Sequence, residues 1–159
     1  MPITEDDLSN ALSAWCEGMV SISAAYEQNG YEDARILAKK LIGDLYGYSS
    51  GSVLFKPTLS GGEQTFRTSE DGALSYFVGG NSDYPQDSGF AIKGWKQVFY
   101  DAKAVFLDEN IALWMGWVTL VDEGGQSTKV DKSFGYKLCE RRHLKIVLHH
   151  SSLPYQNQI

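Results

Sequence analysis

The hydrophobic pattern of this 159-residue chain changes its period once, and that change limits the folds open to it. Up to about residue 79, apolar residues recur at steps of three and four, as on one face of an α-helix. From about residue 95 onward, apolar and polar residues alternate, as in half-buried β-strands. Helices followed by antiparallel strands predict an α+β fold, in which a curved sheet wraps around the N-terminal helices.

Three helices are predicted before the sheet. The first begins after Thr4 and ends at Gly30, and the second covers about residues 32–47. A third, shorter helix begins at Ser69 and closes at Gly79. The apolar stripe of the first helix consists of Leu8, Leu12, Trp15, Met19, Ile22 and Tyr26.

Strands account for most of the remaining chain. A short strand is predicted at residues 52–56, and a loop or lid rich in Gly, Ser, Asp and Asn at 79–94. A meander follows over about residues 95–153, with breaks that favour hairpins. Its four strands are predicted at 95–107, 111–121, 127–138 and 144–152. We expect one domain spanning residues 1–159.

Composition excludes some classes of partner. Twenty acidic residues against fourteen basic ones give a net charge of −6, which argues against nucleic-acid binding. No apolar run approaches the ~18 residues that a membrane helix needs, and the N-terminus lacks the pattern of a signal peptide. We therefore expect a soluble protein without a membrane partner. The sequence does not select a compartment: the alternatives are the cytoplasm, or a plastid if the chain is a domain of a larger targeted precursor.

The three histidines argue against a catalytic zinc site, which usually takes three protein ligands. His149 and His150 are consecutive on a predicted strand and point to opposite faces. His143 lies about 20 Å away along that strand, at roughly 3.3 Å per residue. Cys16 and Cys139 are too few for a disulfide scaffold or a structural zinc site. We predict no metal ligands.

The last predicted strand pairs each imidazole with a hydroxyl two residues later. His149 and Ser151 share one face, and His150 and Ser152 share the other. Such a pair has a suitable geometry for a hydrogen-bonded acid–base network. The alternative is that these polar groups only satisfy backbone groups at a strand end.

Nucleotide-binding patterns are absent from the sequence. It contains no phosphate-binding loop and no dinucleotide fingerprint. A curved sheet wrapped around helices would enclose a pocket, and an isomerase or dehydratase would need an Asp–His pair deep inside it. The nearest candidates, Asp101 and Asp131, are predicted to face solvent.

Four stretches of the chain resemble the iota-class carbonic anhydrases. They are GSVLFKPT at 51–58, GALSYFVGG at 72–80, KVDKSFGY at 129–136 and LHHSSLPY at 148–155. The last stretch is the most specific, although the family commonly has three histidines before its two serines and this chain has Leu148 at the first of them. That departure removes one candidate metal ligand.

The resemblance implies a nuclear-transport-factor-2-like fold, which includes the association domain of calmodulin-dependent kinase II, and reversible hydration of carbon dioxide to bicarbonate. Some members of the class are metal-free and others metal-dependent. We expect no cofactor here, with zinc or manganese as the alternative. The bicarbonate-binding hydroxyls carry over to Thr58, Tyr76 and Ser151. An alignment slip of one residue would select Ser152 instead, together with His150.

Hydroxyl groups alone cannot make a water molecule nucleophilic. Zinc does so by lowering the pKa of its bound water to about 7, and imidazole titrates close to that pH. Our hypothesis is that a neutral histidine of the last strand accepts the proton. The predicted catalytic set is therefore Thr58, Tyr76, Ser151 and His149, and the predicted substrate-binding set is Thr58, Tyr76, Ser151, Ser152 and His150.

A non-catalytic function remains the main alternative. Domains of this type also serve as oligomerisation or small-ligand-binding association domains, and fold alone does not fix function. The expected partners are carbon dioxide or bicarbonate and a second copy of the chain in a homodimer. Convergence of Thr58 and Tyr76 on one pocket would favour the enzyme, because an assembly module has no need of it.

Overall fold

The computed structural model describes residues 1–157, and residues 158 and 159 of the predicted domain lie outside them. The described chain packs three α-helices against a five-stranded sheet of order β1-β5-β4-β3-β2. The helices are α1 (Glu5–Asn29), α2 (Tyr31–Leu45) and α3 (Glu70–Val78). The strands are β1 (Leu54–Lys56), β2 (Trp95–Leu107), β3 (Ile111–Asp122), β4 (Ser127–Leu138) and β5 (Leu144–Ser152). The change of period near residue 95 therefore marks the change from helices to the long strands.

Helix α1 is fixed at both ends by local chemistry. At its start, the Asp7 backbone N–H donates to the Thr4 hydroxyl (3.1 Å) and the Thr4 backbone N–H donates to the Asp7 carboxylate (2.9 Å). At its end, Gly30 adopts a φ of +91°, which favours glycine. The buried face of the helix carries Trp15, which is 1% exposed. This packing brings the Trp15 indole to the inner face of the sheet.

Length alone would allow α1, with 25 residues, to span a bilayer, because about 20 suffice. Three acidic residues in its first turn make it unsuited to that environment. Within residues 1–157, no helix is both long enough and apolar enough to cross a membrane. The compartment stays a prediction.

The edge strand β1 is the one parallel element of the sheet in the described chain. It pairs with β5 in a register that sets Phe55 beside His149 and Lys56 beside His150, whereas the other strands form an antiparallel meander. The sequence predicts a strand at this place but not its partner. This pairing brings the segment after β1 to the end of β5.

Alternation along β3 separates an inner from an outer face of the sheet. Trp114 is 2% exposed and packs in the core, while Trp117 is half-buried on the other face. There the Lys129 ammonium lies 4.5 Å from the centre of the Trp117 ring. The two tryptophans thus lie on opposite faces, as their parity predicts.

Candidate active site

Three of the hydroxyl side chains that the sequence singles out come together where β1, β5 and α3 meet. The Thr58 and Ser151 hydroxyl oxygens are 2.6 Å apart, and the Leu59 backbone N–H donates to the Tyr76 hydroxyl (3.1 Å). Thr58 follows β1, Ser151 lies near the end of β5, and Tyr76 is on α3. Three separate elements therefore build one polar cluster in an otherwise apolar interior.

The Tyr76 hydroxyl is placed to donate a hydrogen bond. Burial raises its pKa to about 12, although the Leu59 N–H and the Thr58 side chain act in the opposite direction. The group therefore keeps its proton near neutral pH, and its oxygen already accepts from Leu59. Phe90 stacks on the Tyr76 ring at 5.6 Å between centres. A cavity of about 30 Å³ lies against Tyr76, Leu59 and Phe90, which is enough for a water molecule.

A buried ion pair holds α3, and with it Tyr76, in place. The Arg67 guanidinium donates twice to the Asp87 carboxylate (2.6 and 2.8 Å), and the two side chains are 3% and 6% exposed. Arg67 also donates to the Gly72 carbonyl (2.9 Å), and the Ser75 hydroxyl donates to Asp87 (2.6 Å). Both contacts are to the helix itself, so the ion pair anchors α3 to the flanking segments.

His149 is 1% exposed, and both of its ring nitrogens have partners. Its Nδ1 lies 2.8 Å from the Tyr46 hydroxyl, which accepts a hydrogen bond from the Trp15 indole (3.0 Å), and its Nε2 lies 2.9 Å from Lys132 Nζ. Phe134 packs on the ring at 4.4 Å between centres. Burial lowers the pKa of His149 well below its usual value, and Lys132 adds to the effect. The imidazole is therefore neutral and reaches the hydroxyl cluster through Lys132.

The two alternative pairs on the last strand lie in different surroundings. Ser151 and His149 point into the interior, where Ser151 is fully buried. His150 is exposed and Ser152 half-buried on the other face. The structure brings the first pair together with Thr58 and Tyr76, and it places the second pair away from them. Substrate binding by Ser152 and His150 stays a prediction, and the geometry favours the first pair.

Lys132 belongs to this cluster, and the sequence analysis did not single it out. Its Nζ lies 2.9 Å from His149 Nε2, 3.0 Å from the Ser151 hydroxyl and 4.7 Å from the centre of the Trp15 ring. The side chain is 3% exposed. Desolvation by burial lowers the pKa of Lys132 to about 7, and the nearby charge of Lys56 acts in the same direction.

A sequence signal for Lys132 exists. On β4 the even-numbered side chains from Val130 to Phe134 point inward. Lys132 therefore lies on the same face as Val130 and Phe134, which are both buried. A lysine on the apolar face of a strand is unusual, because lysine is almost never fully buried without a partner. That position identifies it as a candidate for function. Tyr46 and Trp15 carry no comparable signal, since both are typical core residues.

Potential metal ligands are scattered over the structure. Residues 1–157 contain no group of three or more His, Cys, Asp or Glu side chains that could hold a metal ion together. His143 is exposed, with its Nε2 3.2 Å from the Asp44 carbonyl oxygen. Cys16 and Cys139 are both free thiols.

Comparison with known proteins identifies the family. Residues 6–153 match the family described as metal-independent carbonic anhydrase. The chain belongs to the metal-independent carbonic anhydrases. This family description confirms the resemblance seen in the four sequence stretches. It also agrees with the prediction that the protein needs no metal cofactor, and it speaks against the zinc or manganese alternative.

Individual relatives agree with the family assignment. A metal-independent carbonic anhydrase of Nostoc sp. strain PCC 7120 is 45% identical over 154 residues, which cover 97% of this chain and 75% of that protein. The crystal structure of an iota-carbonic anhydrase from a cyanobacterium, complexed with bicarbonate, matches with a TM-score of 0.97 and 44% identity, covering 98% of this chain and 95% of that one. This match confirms the predicted α+β fold with its curved sheet.

A more distant likeness concerns the fold alone. A calcium/calmodulin-dependent protein kinase II association domain from Xanthomonas campestris, itself a provisional assignment, matches with a TM-score of 0.59 and 19% identity. The match covers 94% of this chain and 87% of that one. This chain thus shares its overall fold with that domain, as the sequence resemblance implies.

Proposed function

We propose that this chain catalyses the reversible hydration of carbon dioxide to bicarbonate, and that Thr58, Tyr76 and Ser151 bind the substrate. The observation that carries the proposal is the convergence of these three hydroxyls on one point, in a chain of this family. The relative with a TM-score of 0.97 is a complex with bicarbonate. An association domain without catalysis would have no need of such a cluster.

The chemistry of the cluster suits both the substrate and the product. Carbon dioxide is apolar and is accommodated by aromatic walls, which Phe55 and Phe90 supply next to Tyr76. Bicarbonate is an oxyanion, which needs hydrogen-bond donors where its charge develops. Hydroxyl groups both donate and accept, so they can orient a water molecule and then hold the product. The Lys56 ammonium, 2.8 Å from the Ser151 carbonyl oxygen, adds positive charge beside the cluster.

Removing the proposed substrate-binding hydroxyls of the protein one at a time tests the proposal. We expect Thr58→Ala and Tyr76→Phe each to lower kcat/KM for carbon dioxide hydration by at least about tenfold, because each loses a donor to the developing oxyanion. The rate is measured by stopped flow on protein stripped with a chelator and assayed for metals. Thr65→Ala and Tyr26→Phe are matched controls, since Thr65 bonds only within its own loop and Tyr26 lies exposed on α1.

The outcomes test separately the location of the site, its independence of metal and catalysis itself. Wild-type rates in both Thr58→Ala and Tyr76→Phe would show that the site lies elsewhere. Activity that returns only with added metal would contradict a metal-free reaction. A stripped wild-type protein that is inactive with and without metal would favour the association-domain alternative.

The predicted homodimer would use the outer face of the sheet. Supporting this placement, an apolar groove of about 250 Å³ crosses β2, β3 and β4, and exposed side chains line it. Among them Phe106 and Met115 are each 58% exposed, and such a patch marks an interaction site. We expect multi-angle light scattering to give twice the 17.7 kDa chain mass, and Met115→Glu to give the monomer. A monomeric wild-type protein at micromolar concentration would contradict the prediction.

A further inference from the structure

We infer that Lys132 accepts the proton of the water that attacks carbon dioxide, and that it does so through the Ser151 hydroxyl. The inference rests on the proposed function and identifies the base that the three hydroxyls lack. It places His149, the predicted acceptor, one step further from the substrate. His149 then serves as a positioning residue, which holds the Lys132 amine.

The protonated form of Lys132 has a partner for each of its three N–H groups. His149 Nε2 lies at 2.9 Å, the Ser151 hydroxyl at 3.0 Å, and the face of the Trp15 ring at 4.7 Å from its centre. The first two accept hydrogen bonds, and the indole face attracts a cation through its quadrupole. The site therefore accommodates the charged lysine that a proton transfer creates.

The neutral form fits the same positions. With Nδ1–H of His149 donating to the Tyr46 hydroxyl, Nε2 stays an acceptor, and the neutral amine directs its two N–H groups at His149 and Trp15. Its lone pair then faces the Ser151 hydroxyl at 3.0 Å. Protonation consequently moves one proton along the line from Ser151 to Lys132, and no side chain has to change position.

Burial is the main reason that Lys132 loses its proton easily; the Lys56 charge lowers its pKa further, whereas Cys16 and Asp131 act in the opposite direction. The titratable groups that face it are the Cys16 thiol from α1, the Lys56 ammonium from β1 and the His149 imidazole from β5. Asp131 on its own strand points to the opposite face. Within residues 1–157 no carboxylate forms an ion pair with Lys132. A buried lysine without a counter-charge is suited to act as a general base at neutral pH.

The proposed step balances in atoms and charge. The water oxygen forms a bond to the carbon of carbon dioxide, and one O–H bond of that water breaks. Its proton passes to the Ser151 oxygen while the Ser151 proton passes to the Lys132 lone pair, which leaves bicarbonate beside a lysine ammonium. The ammonium then gives its proton to buffer, and bicarbonate leaves. In the reverse direction the protonated lysine supplies the proton.

The pH dependence of hydration tests this assignment. We expect kcat/KM of the wild-type protein to rise about tenfold per pH unit below an inflection near pH 7 and to level above it, because only the neutral amine accepts a proton. Lys132→Met should lose about a hundredfold in kcat/KM at pH 8 and lose the inflection as well. Lys129→Met, on the outer face of the same strand, is the matched control and should keep the wild-type kcat/KM at pH 8 and the inflection near pH 7.

A second measurement follows the protonation of Lys132 without an activity assay, through the pH dependence of folding stability. Between pH 7 and 10.5 the unfolded chain holds the Lys132 proton and the folded chain does not, so rising pH favours the folded state. Across this window the folded-to-unfolded ratio of the wild-type protein should rise about tenfold per pH unit relative to Lys132→Met. Below pH 7 both the folded and the unfolded state hold the proton, so the difference in stability between the wild-type protein and Lys132→Met should not change with pH.

These results distinguish the two proposals. An active wild-type protein whose inflection near pH 7 survives in Lys132→Met would overturn the role of Lys132 and leave the proposed function intact. A stability difference that does not change with pH would show a lysine with an ordinary pKa and would equally overturn it. An inactive wild-type protein would instead contradict the proposed function.

Discussion

Replacing Ser151 by alanine is expected to reduce kcat/KM for carbon dioxide hydration about a thousandfold, near the upper end of the loss from removing one oxyanion donor. The effect is large because the Ser151 hydroxyl has two neighbours in the site. It lies 2.6 Å from the Thr58 hydroxyl, on the substrate side, and 3.0 Å from Lys132 Nζ, on the side of the proposed base. The variant therefore loses both a substrate contact and the path of the proton. Stopped-flow hydration assays at pH 8 measure it.

Ser152→Ala is the informative comparison for this prediction. Ser152 is the next residue on the same strand but lies half-buried on the outer face. We expect its hydration rate to stay within about twofold of the wild type, since surface substitutions away from a site have small effects. The opposite result, a large loss in Ser152→Ala and none in Ser151→Ala, would assign the site to Ser152 and His150.

Asp87→Ala should have the largest effect on stability. We expect it to lower the free energy of unfolding by about 3–5 kcal/mol, because it leaves the Arg67 guanidinium buried without a counter-charge. The Ser75 hydroxyl would also lose its acceptor. Urea denaturation, followed by circular dichroism, gives this free energy directly. The same variant should lose activity, since α3 carries Tyr76.

An exposed ion pair supplies the matched control for Asp87→Ala. Lys40 and Asp44 are 2.8 Å apart on α2, with side chains 70% and 51% exposed. Such a pair contributes only about 0.3–0.5 kcal/mol, so Asp44→Ala should change the free energy of unfolding by no more than that. Equal effects of the two substitutions would contradict the anchoring role of the buried pair.

Much of this fold can be predicted because its elements carry local signals. The apolar stripe of α1, its Thr4 cap and its terminal Gly30 all lie within one stretch of sequence. β3 alternates clearly between buried and more exposed residues, and polar turns separate the long strands. The pairing of β1 with β5 has no such signal, since β1 has three residues and its partner lies some ninety residues further along the chain. Contacts at that distance depend on the packing of the whole domain.

The site was only partly predictable for the same reason. The resemblance singles out Thr58 and Tyr76, but no spacing within the sequence implies that they meet. The parity of β5 places Ser151 and His149 on one face and leaves open which face points inward. Lys132 was not predicted as a site residue because lysines are usually solvated, although its position in the alternation of β4 places it on the inward face.

The 2.6 Å contact between Thr58 and Ser151 bears on how fast bicarbonate would leave the proposed site. These two hydroxyls bond to each other, so an anion bound there in the proposed way would break that hydrogen bond before it makes its own. A hydrogen bond of this kind contributes about 0.5–1.5 kcal/mol net, which corresponds to roughly a twofold to tenfold weakening of ligand affinity. At the proposed site, bicarbonate would compete with an internal partner that re-forms as it departs, and this competition would shorten its residence time.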